Sequence, residues 1–203
     1  MDNRTRHDNG RVLATFLLGA GIAGCVAALA LIIERLALLT DPSHTPSCDF
    51  SPLVSCGSVM ETSQASAFGF PNPLIGIVGF TVVATTGAAL LAGARFAKWY
   101  WVCLQGGVLF GLAFVSWLIF QSIFRIGALC PYCMVVWAVM LPVFWFVTRR
   151  NATSGDLGRW VAESPFFKTL WRWESLILTI AYLSIVGLIA HQFWFYWSTL
   201  VGS

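Results

Sequence analysis

The sequence predicts an all-α integral membrane protein, with a four-helix transmembrane bundle followed by a fifth transmembrane helix. Hydrophobic residues make up 58% of the 203 residues and charged residues only 10%, whereas soluble domains carry about 25% charged residues. Only helices and closed barrels satisfy their backbone polar groups inside a bilayer, and a spanning helix needs roughly 20 apolar residues. Five runs are long enough: 12–33, 74–94, 99–124, 131–148 and 175–197.

These runs divide the chain into four parts. Residues 1–11 are polar and basic and are expected to form a cytoplasmic tail. Residues 12–148 hold the four-helix bundle, including a long outer loop at 36–73. Residues 149–174 form a cytoplasmic segment, and residues 175–203 hold the fifth helix with a short outer tail. The first run is longer than the apolar part of a signal peptide and lacks a small-residue cleavage motif, so we expect it to remain as an anchor.

The basic residues predict the orientation of the helices. Ten of the twelve lysines and arginines precede the first run, separate the second from the third, or separate the fourth from the fifth. The positive-inside rule therefore places the N-terminus in the cytoplasm and the 36–73 loop on the outer, oxidising face. Aromatic residues interleave with the basic residues of 149–174, which predicts contact with lipids of the inner leaflet rather than with nucleic acid.

A Cys-x-x-Cys pair opens the fourth helix. Cys130 occupies the expected N-cap and Pro131 the first helical position, which proline favours because its missing N–H would be unpaired there. Cys130 and Cys133 are one turn apart at the positive end of the helix dipole, which stabilises a thiolate. Low thiol pKa and this spacing are typical of thiol–disulfide chemistry.

A second pair, Cys48 and Cys56, lies in the outer loop, and three interpretations of the two pairs compete. Two structural disulfides would explain Cys48 and Cys56, but a Cys-x-x-Cys disulfide closes too small a loop to constrain the unfolded chain. A four-thiolate zinc site usually combines two short Cys-x₂₋₄-Cys segments, which the wider pair does not match. An electron relay between the pairs is favoured, and the other two remain open. Cys25 and Cys103 have no partner at useful spacing and are expected to be inert.

The relay needs an electron acceptor. Cys133, Trp137 and Leu141 recur at helical spacing and form a stripe that points into the bundle. A thiol at that depth can meet a hydrophobic acceptor dissolved in the lipid, which indicates a quinone. The sequence has no pair of intramembrane histidines for haem and no glycine-rich nucleotide loop.

The loop between the first and second helices carries further expected features. Residues 58–68 are predicted to form a short helix over the membrane surface, ending at Gly69. Asn72 is well placed as the N-cap of the second helix, with Pro73 at its first position. Three glycines of that helix are expected to allow close helix packing: Gly76, Gly79 and Gly87.

Short motifs follow one another in an informative order between about residues 12 and 148. They are the pair Cys48 and Cys56, the run Cys56-Gly57-Ser58-Val59, Phe68-Gly69, Asn72 and Cys130-Pro131-Tyr132-Cys133. This combination resembles the vitamin K epoxide reductase family in its bacterial form. In the DsbB family, the other quinone-linked thiol oxidase, the Cys-x-x-Cys pair comes first and the wide pair second.

The resemblance implies a membrane thiol oxidase that supports disulfide bond formation. Residues 12–148 would be the catalytic bundle and would hold a quinone, menaquinone or ubiquinone, near the outer surface. Electrons would enter at Cys48 and reduce the Cys48–Cys56 disulfide. Cys56 would then attack Cys130, and Cys133 would deliver electrons to the quinone.

The resemblance also implies a quinone site. Asn72 would donate a hydrogen bond to a quinone oxygen, although a simple helix cap explains this residue equally well. Trp137 stands where the eukaryotic enzymes have a tyrosine, and its indole can donate but cannot accept or lose a proton. That departure favours plain quinone reduction over epoxide chemistry. Four more residues would line the site, although ordinary packing also explains them: Met60, Phe68, Phe80 and Leu118.

The partner implied by the resemblance is a separate DsbA-like protein with a thioredoxin fold, docking on the outer loop. Many bacterial relatives carry a thioredoxin-like domain after the fifth helix, but only six residues follow Trp197 here, so no fused donor is expected. The location would be the bacterial cell membrane. The alternatives are a quinone or vitamin K epoxide reductase of another pathway, and a non-enzymatic membrane scaffold with structural disulfides.

Overall fold

The computed structural model describes residues 3–41, 43–51 and 53–194, which fold into a helical bundle. Five helices are long and apolar enough to cross a membrane: α1 (Asn3–Thr40), α3 (Pro73–Leu91), α4 (Lys98–Gln121), α5 (Pro131–Thr153) and α8 (Glu174–Gln192). Three shorter helices connect them: α2 (Cys56–Met60), α6 (Arg159–Glu163) and α7 (Pro165–Arg172). The predicted all-α membrane class and the five predicted spans are thereby confirmed.

Helix α1 is longer than predicted at both ends. It begins at Asn3, so the segment expected to be a polar tail is helical from residue 3, and it continues to Thr40 instead of stopping near Ile33. No proline occurs before Pro42, and the residue before a proline is disfavoured in the helical region, which explains the late end. Residues 36–40, which were predicted to open the outer loop, are therefore helical. At the other end of the chain, residues 195–197 of the predicted fifth span lie outside the described residues.

The predicted surface helix at 58–68 is wrong. Helix α2 covers only Cys56–Met60, and a single 3₁₀ turn follows at Ser63–Ser66. Small hydroxyl residues in this stretch bond locally to the backbone and compete with a continuous helix; the Thr62 hydroxyl, for example, donates to the Val59 carbonyl at 2.8 Å.

Three pairs of neighbouring transmembrane helices pack against each other, and a fourth pair is separated by a cavity. Helix α1 packs along α3 and against α5, and α5 packs against α4, whereas α3 and α4 face each other across a cavity. A large apolar cluster fills the middle of the bundle. A second, smaller cluster lies at one end and consists of Leu31, Cys48, Cys56, Met60 and Cys130.

Glycines bring α1 and α3 into close contact. A Cβ on Gly87 would lie 2.4 Å from the backbone nitrogen of Leu18, and a Cβ on Gly76 would lie 3.1 Å from the Cβ of Ala28. Around the corresponding position on Gly79, no atom of another described segment lies within 4 Å. The close-packing role expected of the three glycines therefore holds for Gly76 and Gly87, but not for Gly79.

Gly87→Ala is expected to lower the free energy of unfolding by about 1–3 kcal/mol, because the added methyl group meets the backbone of α1, which cannot move aside alone. The measurement is the melting temperature of the purified protein in detergent. Gly79→Ala is the matched control, since it adds the same methyl group to the same helix in open space. Equal destabilisation by the two variants would contradict this account of α1–α3 packing.

Candidate functional site

Three sulfur atoms meet in the small cluster at one end of the bundle. Cys48 and Cys56 are joined by a disulfide, and the Sγ of Cys130 lies 3.1 Å from the Sγ of Cys56. Their side chains are sealed from solvent, with exposures of 2% for Cys48 and 0% for both Cys56 and Cys130. Thiol–disulfide exchange requires one sulfur to approach another, and Cys130 is already placed against Cys56.

A short backbone bridge aligns these sulfurs. Val54 pairs with Leu129 in an isolated parallel bridge, in which Leu129 N–H donates to the Leu53 carbonyl at 2.8 Å and Ser55 N–H donates to the Leu129 carbonyl at 3.0 Å. Val54 lies two residues before Cys56 and Leu129 lies one residue before Cys130, so the bridge brings the two facing cysteines together. Sequence patterns gave no indication of it, because two paired residues from distant segments leave no periodic signal.

The carboxylate of Asp49 fixes the start of α2. Its Oδ1 accepts hydrogen bonds from the N–H of Cys56 at 2.6 Å and the N–H of Gly57 at 3.1 Å. A Cβ on Gly57 would lie 2.9 Å from the other carboxylate oxygen, so glycine leaves room for this contact. Asp49 therefore links the residue after Cys48 directly to the backbone of Cys56.

The C-terminal part of α1 forms hydrogen bonds to the outer loop that carries Cys48 and Cys56. One carboxylate oxygen of Glu34 lies 2.9 Å from His44 Nε2, and the other accepts from the N–H of Ser47 at 3.2 Å and from the Ser47 hydroxyl. The neighbouring Arg35 donates to the carbonyl of Met60, the last residue of α2. The sequence gives no sign of these contacts, because they join Glu34 and Arg35 to residues beyond the end of the helix.

The Cys130 thiol lies at the start of α5, and its pKa is lowered from the usual range. The main cause is a hydrogen bond from the Cys133 thiol, assisted by the backbone N–H groups of Cys133 and Tyr132, and together these outweigh the effect of burial. A lower pKa increases the thiolate fraction, which is the reactive form. The four-thiolate zinc site considered from the sequence lacks two of its thiolates here, because Cys48 and Cys56 are joined to each other.

A cavity of about 750 Å³ lies between α3 and α4 and reaches Cys133. Five of the six residues predicted for a quinone site line it: Met60, Asn72, Phe80, Leu118 and Trp137. Phe68 is the exception; its side chain is 52% exposed and packs against Phe110 and Phe114, which do line the cavity. Polar lining residues that the sequence did not suggest include Arg35, Gln64, Tyr100 and Gln121.

Asn72 does not cap α3. Its backbone is already helical, and its side chain makes no hydrogen bond to the helix start. Instead Oδ1 accepts from the N–H of Ala67 at 3.0 Å, and Nδ2 donates to the Gln64 carbonyl at 2.7 Å. The Asn72 side chain thus holds the loop of residues 64–72 together beside the cavity. One amide hydrogen of Nδ2 remains for another acceptor.

The sequence that carries the two cysteine pairs matches a known family. The family model described as "Vitamin K epoxide reductase family" matches residues 15–148 of the 203, a region that contains both cysteine pairs and the cavity-lining face of α5. Comparison with curated proteins finds no match. Proteins of this family are membrane oxidoreductases with quinones as electron partners, and they generally work with a thioredoxin-like protein. Because the match covers well over half of the chain, the protein belongs to the vitamin K epoxide reductase family.

Proposed function

We propose that the protein is a quinone-dependent thiol oxidase of the bacterial cell membrane. It re-oxidises an extracytoplasmic, DsbA-like dithiol protein and passes two electrons through Cys48 and Cys56, then Cys130 and Cys133, to a quinone. The observation that supports this most strongly is the 3.1 Å between Cys130 Sγ and Cys56 Sγ in a chain whose Cys48–Cys56 disulfide is formed.

The first half of the reaction is an exchange with the partner. A partner thiolate attacks Cys48, breaking the Cys48–Cys56 bond and forming a mixed disulfide. The second partner thiol then attacks the partner's own sulfur in that bond. The partner leaves as a disulfide, and Cys48 and Cys56 are left as thiols, so two electrons have entered the chain.

The second half is an exchange within the chain. The Cys56 thiolate attacks Cys130 in a Cys130–Cys133 disulfide, and Cys133 leaves as a thiolate. Cys48 then attacks Cys56, which re-forms the loop disulfide and releases Cys130. The described arrangement, with the loop pair joined and Cys130 and Cys133 free, matches the end of this exchange. Two electrons and two protons then pass from Cys130 and Cys133 to the quinone, which becomes a hydroquinone as their disulfide re-forms.

The cavity provides the place for the quinone. Its volume of about 750 Å³ falls in the ordinary range for small-molecule sites, and Cys133, Trp137 and Asn72 all line it. Trp137 supplies an N–H donor but no group that could accept or release a proton. This supports quinone reduction as the activity, ahead of epoxide reduction. The same cavity residues would contact either menaquinone or ubiquinone.

The partner must open part of the loop to reach its target, because Cys48 is sealed. The segment that would move precedes Cys48 and is held to α1 by Glu34 through His44 and Ser47. Phe50 lies two residues after Cys48 and is 76% exposed, so it offers apolar surface to a docking protein. We place this end of the bundle outside the cell and the N-terminus inside, because α5 runs from the cysteines to the basic residues that precede α6.

The function is tested with the full chain in lipid vesicles, a reduced DsbA-like protein and defined quinones. Oxidation of the partner and reduction of the quinone should occur one to one, and running menaquinone and ubiquinone separately identifies the preferred acceptor. Cys56→Ala is mixed instead with the oxidised partner: its lone Cys48 thiolate attacks the partner's disulfide and releases one partner thiol, and a thiol-trapping gel should detect the resulting mixed disulfide. Partner oxidation without quinone consumption would refute the proposal, and normal disulfide formation in cells carrying Cys130→Ser would favour the structural scaffold.

Asn72→Ala is expected to raise the KM for quinone and to lower the free energy of unfolding by about 1–3 kcal/mol, because the backbone groups of Gln64 and Ala67 lose their partner. Asn72→Asp keeps an acceptor for the Ala67 N–H but loses both the donor to the Gln64 carbonyl and any donor to a quinone oxygen. The measurements are the melting temperature and quinone KM. Ser63→Ala is the control, since its hydroxyl contacts only the neighbouring Gln64 side chain. An unchanged KM in Asn72→Asp would limit Asn72 to a structural role.

A further inference from the structure

Pro142 leaves one carbonyl of α5 without its usual helical partner. A proline has no N–H, so it cannot donate to the carbonyl four residues earlier, which is that of Ala138. The hydrocarbon region of a membrane contains no water that could take its place. The hydroxyl of Tyr182, from α8, donates a hydrogen bond to this Ala138 carbonyl. A side chain of the fifth transmembrane helix thus supplies the bond that the proline removes.

The rest of α8 is arranged around this contact. Its partly buried positions recur every three or four residues on a single stripe: Glu174, Ile177, Leu178, Ala181, Tyr182, Ile185 and Ile189. At one end of the stripe Glu174 pairs with Arg149 of α5, and at the other end Ile189 packs against the main apolar cluster. Tyr182 lies between these attachments, about midway along α8.

The bonded carbonyl lies next to the working face of α5. Ala138 directly follows Trp137, and Trp137, Cys133 and Met140 all line the cavity. Tyr182 itself does not line it, so its hydroxyl would affect the reaction through the α5 carbonyl that it bonds. A gap in the hydrogen bonds at Ala138 would loosen the turn that fixes the direction of Trp137 and Met140.

We infer that α8 is a positioning element for the quinone site, and that Tyr182 is the residue through which it acts. Its hydroxyl completes α5 at Pro142 and holds the Cys133–Trp137 face against the cavity. Tyr182 lies outside the region that matches the family, since that match ends at residue 148 and α8 begins at Glu174. The effect on quinone binding rests on the proposed function, whereas the hydrogen-bond coupling does not.

A double-mutant cycle on the full chain in lipid nanodiscs tests the inference. Tyr182→Phe is expected to raise the KM for a defined short-chain quinone about threefold to tenfold, as expected for an interhelical hydrogen bond, with a smaller effect on kcat. It should also lower the melting temperature by a few degrees. Pro142→Ala restores an N–H at position 142, so Tyr182→Phe in that background should change quinone KM and melting temperature far less.

Two comparisons decide the outcome. Ser184→Ala is the matched control, because it removes a hydroxyl of α8 that, among the residues the structure describes, bonds within its own helix to the Ile180 carbonyl. It should change neither readout. Pro142→Leu provides a second background should Pro142→Ala fold poorly. Equal effects of Tyr182→Phe with and without Pro142, or no effect with Pro142 present, would overturn the inference. If the chain reduces no quinone, the proposed function fails, and coupling in the melting temperatures still decides whether Tyr182 completes α5.

Discussion

Cys133→Ala is expected to reduce turnover with quinone by about a thousandfold or more. The variant cannot form the Cys130–Cys133 disulfide, and it is the formation of this bond that passes two electrons to the quinone. It should also accumulate a disulfide between Cys56 and Cys130. The lone Cys130 thiolate, 3.1 Å from Cys56, can attack the Cys48–Cys56 bond and release Cys48. Cys48 can reverse this step, but no thiol at position 133 competes for Cys130, so alkylation of the released Cys48 holds the product. Mass mapping after alkylation would identify the bond and the free Cys48.

The control for this variant is Cys25→Ala. Cys25 is a free, partly buried cysteine of α1 that contacts the Thr81 hydroxyl at 3.6 Å and lies away from the sulfur cluster. Its loss should leave turnover and the disulfide pattern unchanged. Quinone reduction at the normal rate by Cys133→Ala would reject Cys133 as the terminal thiol, and with it the relay order that we propose.

Leu129→Pro is expected to slow exchange between the two cysteine pairs by about a hundredfold, because a displacement of about 1 Å between reacting groups has an effect of that size. The substitution removes the N–H that donates to the Leu53 carbonyl at 2.8 Å, so the segments carrying Cys56 and Cys130 lose part of their alignment. The cleanest measurement is made in the Cys133→Ala background, where the rate of Cys56–Cys130 bond formation reports the exchange alone.

Leu129→Ala separates the backbone contribution from that of the side chain. It keeps both hydrogen bonds of the bridge but removes a buried apolar side chain, so it should cost about 2 kcal/mol or more of stability. Its exchange rate should stay well above that of Leu129→Pro. If the two variants form the Cys56–Cys130 bond equally slowly, the bridge is not what aligns the sulfurs.

The sequence by itself determined the class of the protein and predicted the chemistry of its cysteines. The length and apolarity of five runs require membrane helices, because a bilayer offers backbone groups no other partner. The positions of Cys130 and Pro131 at a helix start predict a stabilised thiolate from local geometry alone. These features depend on residues close together in the chain, which is why they could be predicted without the fold.

The tertiary structure decided how the two cysteine pairs meet and what surrounds them. The bridge between Val54 and Leu129, the contacts of Glu34 with His44 and Ser47, and the bond from Tyr182 to Ala138 each join residues distant in sequence or separated by a loop of unpredictable shape. Asn72 shows the difference most clearly. Its position predicts a helix cap, whereas in the folded loop its amide bonds to the backbone of Ala67 and Gln64 and keeps one N–H for another acceptor. Local patterns fix which groups are available, but the partner of each group depends on packing across the bundle.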